Sequence, residues 1–407
     1  MKRNTAWLAL VLVALLVLAA CQPVQAPGEP SGPQTYVLGV AQPFTGALGA
    51  FGSDFGRGIE LAVEQMNAQL SAAGRPIQFT IASADTEGTG EGAARAVQTV
   101  VQSSGAQVVV GPLTTGEVLG AKQFADENKI VLVAPASSAP AGGIPDDYIF
   151  RVMYPPDTFA AQAFLQIALA RGYEQMALLQ VDDPFGNGLA EIFIEGFQAG
   201  GGGEVAVVKY APDPTELSGE VTRLSAEVAR LSPNGNTAVL CICFLGDAQK
   251  ALQVASVDQT LATVDWLGAE NLVNPEILSD PAHAAFLAQT RFTVVTTTQR
   301  LTPNTQPFID AFTAKFGSAP GPFTNYAYDA ANIAMLTILA AGNNGESVQS
   351  MLPFVANHYI GTAVQTYLDE NGDQAIAYYS IQQVEEDGAS FVEIGSYDGS
   401  SNTVTFN

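Results

Sequence analysis

The chain has 407 residues, 47% of them apolar and 14% charged, which excludes a largely disordered polypeptide and leaves room for two domains with buried cores. Forty acidic residues against 16 basic ones give a formal net charge of −24. A phosphate backbone would be repelled, so nucleic acid is excluded as a partner.

At the N-terminus, Lys2 and Arg3 precede an apolar run over residues 6–20 that ends in Leu18-Ala19-Ala20-Cys21. The run is shorter than the roughly 20 residues that span a bilayer, so residues 1–20 read as an export signal. The cysteine's setting is similar to a bacterial lipobox, which implies a lipid on Cys21. An ordinary signal peptide with an incidental cysteine is the alternative. Four prolines and two glycines within residues 22–34 then give an extended tether.

Short apolar runs next alternate with amphipathic helical segments, the signature of βαβ units and a doubly wound parallel sheet. Strands are expected near 36–41, 77–82, 107–111 and 130–134, and helices near 53–70, 91–103 and 115–128. Ser53 is a candidate N-cap, and Phe55, Ile59, Ala62 and Met66 fall on one helix face. The alternation repeats after Arg151. Helices are expected near 158–170, 188–199, 216–230 and 247–257, and strands near 175–180, 204–208, 237–244 and 264–267. A strand near 292–296, helices near 305–316 and 325–341, and a β-rich tail over 375–385 follow. Cys241 and Cys243 point to one face of a strand; both are expected to be buried as free thiols, without a disulfide.

Two glycine-rich segments resemble phosphate loops only superficially. Gly46, Gly49 and Gly52 have G-x-x-G-x-x-G spacing and lack the G-x-G of a dinucleotide fingerprint. Gly200 to Gly203 lies between a helix and a strand with no Lys-Ser or Lys-Thr after it, and reads as a helix stop.

The run Gly39-Val40-Ala41-Gln42-Pro43-Phe44-Thr45-Gly46, followed by Gly58-Ile59-Glu60-Leu61-Ala62-Val63-Glu64-Gln65-Met66-Asn67, resembles the opening of leucine/isoleucine/valine-binding proteins. The resemblance continues through Gly111 to Thr115, Val133 to Ser138, Tyr148 to Arg151, Trp266 to Glu270 and Tyr326 to Ala330, nearly the whole exported chain. It implies the type I periplasmic-binding-protein fold: two α/β, Rossmann-like doubly wound lobes joined by a three-segment hinge. Residues 1–20 are then the signal and 21–35 the tether. Residues 36–152 with 294–372 form the N-terminal lobe, and 153–293 with 373–407 the C-terminal lobe. It also implies a small-molecule ligand, an amino acid or analogue, delivered to an ABC permease and its ATPase subunits. The protein would be lipid-anchored at the cell membrane, facing the periplasm or cell exterior.

The same resemblance places the site. Thr115 aligns with a hydroxyl that meets the ligand carboxylate, although a plain helix cap would use the same atoms. Ala136, through its carbonyl, and Ser138 align with contacts to the ligand's ammonium and carboxylate. Glu270 ends an apolar strand at its carboxyl edge, where open α/β sheets place ligands, and would pair with an ammonium. Phe51, Phe185 and Phe244 align with aromatic wall positions where tyrosine is usual, a departure that changes the cleft's polarity; each is also an ordinary core residue. The first-lobe disulfide of the resemblance is missing, with Asp85 and Thr114 near those places.

Enzyme motifs are lacking. The only histidines, His283 and His358, stand in unrelated segments, and no G-x-S-x-G, H-E-x-x-H or P-loop occurs. We therefore expect a binder with no catalytic residue, metal or cofactor. The alternative is a same-fold sensor or transporter subunit for an amide, urea or a small organic or aromatic acid.

Overall fold

The structure, a computed structural model, describes residues 33–298, 302–362 and 365–407. The segment expected to be an export signal, Cys21 and nearly all of the expected tether lie outside the described residues. Among those described, no helix is long and apolar enough to cross a membrane.

The first sheet has five strands: β1 (Gln34–Gln42), β2 (Ile77–Asp85), β3 (Val108–Val110), β4 (Val131–Val133) and β5 (Ile149–Phe150). All run parallel in the order β2-β1-β3-β4-β5. Alternation along β3 sends Val108 and Val110 into one core and Val109 into another, so helices must cover both faces. On the first face lie α1 (Gly49–Ala72) and a later helix, Thr324–Ala341; on the second lie α2 (Gly90–Ser104) and α3 (Thr115–Asn128). A Cβ on Gly120 of α3 would lie 2.2 Å from the Gly90 carbonyl oxygen, so the α2–α3 crossing requires glycine there.

The chain then enters the second lobe. Helices α4 (Asp157–Ala170), α5 (Pro184–Ala199), α6 (Ser218–Leu231), α7 (Leu245–Ala255) and α8 (Pro281–Gln289) alternate with β6 (Gln175–Val181), β7 (Val205–Tyr210), β8 (Thr237–Ile242), β9 (Asp265–Gly268) and β10 (Thr293–Thr297). The parallel part of this sheet is ordered β7-β6-β8-β9-β10, the same winding as the first. The excursion that follows adds α9 (Thr305–Phe316), α10 (Thr324–Ala341) and α11 (Gly345–Asn357) to the first lobe. The chain finally returns as β11 (Tyr378–Val384), β12 (Phe391–Asp398) and β13 (Thr403–Phe406), an antiparallel extension on β10. Three segments therefore cross between the lobes, after β5, after β10 and before β11.

Several expectations need correction. Ser53 lies inside α1, which starts at Gly49 with Leu48 as its N-cap. β1 starts at Gln34, so the tether ends before residue 35. β10 runs through Thr297 in the second sheet, so the return to the first lobe falls after 297 and not at 294. Helices α8 and α11 and strands β12 and β13 were not expected. Cys241 and Cys243 are buried as expected but joined in a disulfide. The strand ends at Ile242, and the departing chain brings the two Cα atoms to 5.6 Å, within disulfide reach.

Candidate functional site

In a doubly wound sheet, loops diverge at the point where strand order reverses, opening a crevice at the carboxyl edge. That point lies between β1 and β3 in the first lobe and between β6 and β8 in the second. The two crevices face each other across one cavity, partly open to solvent. Phe51, Thr115, Ala136, Ser138, Phe185, Phe244 and Glu270 all line it.

The first-lobe wall begins where α3 starts. Thr114 is its N-cap and forms a reciprocal capping box: Glu117 N–H donates to Thr114 Oγ1 at 3.3 Å, and Thr114 N–H donates to Glu117 Oε2 at 2.8 Å. Thr86 donates its hydroxyl to the other Glu117 oxygen. Burial pushes the Glu117 carboxyl up, only partly countered by these bonds. The cap is thus Thr114, and Thr115 is the first helical residue. Thr115 Oγ1 accepts from Ala139 N–H at 3.0 Å and pairs with Ser137 Oγ at 2.9 Å, which fixes the loop carrying Ala136 and Ser138. The N–H groups of Thr115 and Gly116 have no carbonyl partner within the helix and present positive dipole ends. Asp85, near the place of the missing disulfide, instead accepts from Phe44 N–H at 2.9 Å and Thr45 Oγ1 at 2.6 Å. Burial opposes its ionisation, yet these bonds hold its carboxyl below the usual range, and they pin the loop leading to Phe51.

The second-lobe wall is aromatic and anionic. Phe185, in the first turn of α5, and Phe244, the N-cap of α7, stack with ring centroids 5.2 Å apart. Glu270 follows β9 and is 4% exposed, and among the described residues neither carboxylate oxygen is in a hydrogen bond of good geometry. Burial pushes its carboxyl well above the ordinary value, the nearby Asp157 charge raises it further, and the Tyr154 phenol offsets only part. Asp157, the first residue of α4, donates its N–H to Ser138 O at 2.8 Å, while its own carboxylate oxygens lack partners of good geometry. Burial raises this carboxyl to about 7; Ser138 and Arg151 pull against that, and Asp183 adds to it. Two buried carboxyl groups therefore stand near each other, and among the described residues no side-chain cation pairs with Glu270.

Sequence reasoning missed Tyr154, Asn271 and Phe323, which also line the cavity. Tyr154 sits on the first crossover and meets Phe323 edge-on at 5.3 Å. Phe323 has φ of 60°, a left-handed conformation costing a bulky residue about 1–3 kcal/mol, held by its packing on Tyr154 and Tyr326. Its one sequence signal is the Gly321-Pro322 turn before a helix. Neither His283 nor His358 lines the cavity, and among the described residues no cluster of potential metal ligands occurs.

The two-lobed architecture, three crossovers and interlobe cavity define a type I periplasmic binding protein. A family model described as periplasmic binding protein matches residues 35–389, and the chain belongs to that family, the group that contains the leucine/isoleucine/valine-binding proteins. It is 25% identical over 353 residues to the Leu/Ile/Val-binding protein BraC3 of Rhizobium johnstonii, covering 86% of this chain and 91% of that one. Its fold is similar to the leucine-binding protein LivK of Thermotoga maritima, with TM-score 0.73, 20% identity, and 90% and 99% of the two chains covered. An R. palustris solute-binding protein in complex with benzoate is equally similar in fold, with TM-score 0.73, 17% identity, and 92% and 98% covered.

Proposed function

We propose that this protein is the extracytoplasmic solute-binding subunit of an ABC transporter, anchored through a lipid on Cys21, and that it carries a neutral apolar α-amino acid. The observation that carries this reading is Glu270, a carboxyl group buried in an aromatic cavity without a hydrogen bond of good geometry among the described residues. A buried carboxylate is costly unless paired, and a ligand ammonium supplies the pair. Opposite it, the first N–H groups of α3 suit the ligand carboxylate. The apolar side chain then lies among Phe51, Phe185 and Phe244.

Ligand docks first on Thr115, Ala136 and Ser138 of the first lobe. The second lobe closes with Glu270 and Phe244, and the closed form is selected only by these added contacts. Closure is presented to the permease and its ATPase subunits. No catalytic step is involved.

A second reading has its own support. Five phenylalanines line the cavity, so an aromatic acid would stack on the Phe185–Phe244 pair, and the benzoate complex of the R. palustris protein shares the fold. Glu270 would then have to be protonated. Thermal unfolding of the purified protein against amino acids, aromatic acids, amides and urea separates the two. Ligand at a hundred times its Kd adds about 2.7 kcal/mol of stability. A shift confined to neutral apolar L-amino acids supports the first reading, and a shift confined to benzoate-like acids, amides or urea discards it.

A further inference from the structure

Asn271 follows Glu270 in the turn after β9 and lines the same cavity. Its Nδ2 donates to the Cys243 carbonyl at 3.0 Å. A carbonyl accepts and never donates, so this bond fixes which way the Asn271 amide faces. The carbonyl it meets is itself held: Cys243 is joined to Cys241, whose own carbonyl accepts from Ala269 N–H at 2.9 Å. Asn271 Oδ1 is left buried with no hydrogen-bond partner among the described residues.

Unpartnered polar atoms on this wall are thus of one kind. With Glu270 ionised by a cationic ligand, its Oε1 and Oε2 and Asn271 Oδ1, from consecutive residues, are all acceptors. Only a donor can satisfy them, and leaving a buried acceptor unmet is costly. Ala136, Glu270 and Asn271 all line this cavity, and each carries an acceptor, a backbone carbonyl, a carboxylate and an amide oxygen. A primary ammonium carries three N–H donors, an N-methylated ammonium two, and a hydroxyl one.

Resting on the amino-acid reading above, we infer that Asn271 is a specificity-determining residue that reads the third N–H and selects primary amines over N-alkylated and hydroxy analogues. Glu270 supplies charge recognition, common to every cationic ligand, and Asn271 supplies the count of hydrogens. Sites built to hydrogen-bond a substrate group reject analogues lacking it far more strongly than apolar pockets reject a change in size.

The test is calorimetric titration with L-leucine and L-phenylalanine, each beside its N-methyl and 2-hydroxy counterparts, for the unaltered protein, Asn271→Ala and Asn271→Leu. The unaltered protein should prefer the primary amine at least tenfold over both counterparts. Both variants should lose about tenfold for the primary amine and much less for the 2-hydroxy acid, so that the preference shrinks. Losing the bond to Cys243 would instead weaken every ligand alike and lower the melting midpoint in parallel, and that outcome, like unchanged affinity, overturns the assignment. If the unaltered protein binds neither amino acid, the amino-acid reading falls first and this one with it. If it binds them and the variants keep the full preference, only the role of Asn271 falls.

Discussion

Arg151 and Asp373 stand 222 positions apart and meet in the hinge as a buried two-pronged ion pair. Arg151 Nε donates to one carboxylate oxygen at 2.6 Å, Nη2 donates to the other, and Nη1 donates to the Ala139 carbonyl at 2.6 Å. Backbone bonds run alongside, from Arg151 N–H to Gly372 O at 2.9 Å and from Gln374 N–H to Arg151 O at 3.1 Å. The first and third crossovers thus form one ribbon, tied to the loop that carries Ser138. Removing one partner leaves the other charge buried alone, at a cost of roughly 3–5 kcal/mol. Arg151→Met should lower the urea unfolding free energy by about that much. Combining it with Asp373→Leu should cost less than the two single changes summed. Strict additivity would mean that the pair is not coupled.

Glu270 supports a sharper expectation, because its two effects have opposite signs. Glu270→Gln keeps the shape and removes the charge, so affinity for L-leucine should fall by about 2–5 kcal/mol in calorimetric titration. In the ligand-free protein burial already opposes ionisation of this carboxyl, the same change relieves that cost, and the melting midpoint at neutral pH should hold or rise. Unchanged affinity would remove Glu270 from the ligand site.

Seven candidate residues were readable because each stands just after a strand or at the start of a helix, where an ordered motif marks it. What the sequence concealed was contact between segments. Tyr154 lies on a crossover with no periodicity, and Phe323 in a loop whose backbone only its aromatic neighbours hold in place. Thr115 resembled a cap, but capping depends on which residue leaves helical geometry, and that is Thr114. β12 mixes exposed, half-buried and buried residues without regular alternation, and β13, at the sheet's edge, is mostly exposed, so their pattern is faint. The disulfide is not legible because the apolar run continues through Phe244 and reads as extended, whereas the strand ends at Ile242.

Two fully buried carboxyls, Asp157 and Asp329, are pushed by burial from 3.8 to about 7. Asp157 is influenced by Ser138, Arg151 and Asp183, and its own charge acts on Glu270, Tyr154 and Tyr379; Asp329 accepts from Thr362 and Tyr359. Because the folded protein holds these protons more tightly than the unfolded chain, their stabilising effect is complete below the unfolded value and is lost as pH rises through the folded one. Stability of the ligand-free protein should therefore decline between about pH 4 and 7, each unit of difference being worth about 1.4 kcal/mol per group. Asp157→Asn should flatten that decline in urea titrations at several pH values. An unaltered slope would show that Asp157 ionises as freely in the folded protein as in the unfolded chain.

Thr114 tests the other pole of the cavity. Its hydroxyl and the Glu117 carboxylate satisfy each other's backbone N–H groups at the start of α3, which holds the free Thr115 and Gly116 N–H groups in place. Thr114→Ala removes one half of this box, and loss of such a cap costs about 1 kcal/mol, readable as a lower urea midpoint. It should also weaken L-leucine several-fold, because the first turn frays where the carboxylate would sit. An amine of similar shape without a carboxylate, 3-methylbutylamine, makes no use of that turn, and its weaker binding should be unaffected. Equal losses for both ligands would place the ligand carboxylate away from α3, whereas a loss confined to L-leucine would assign it to the helix start.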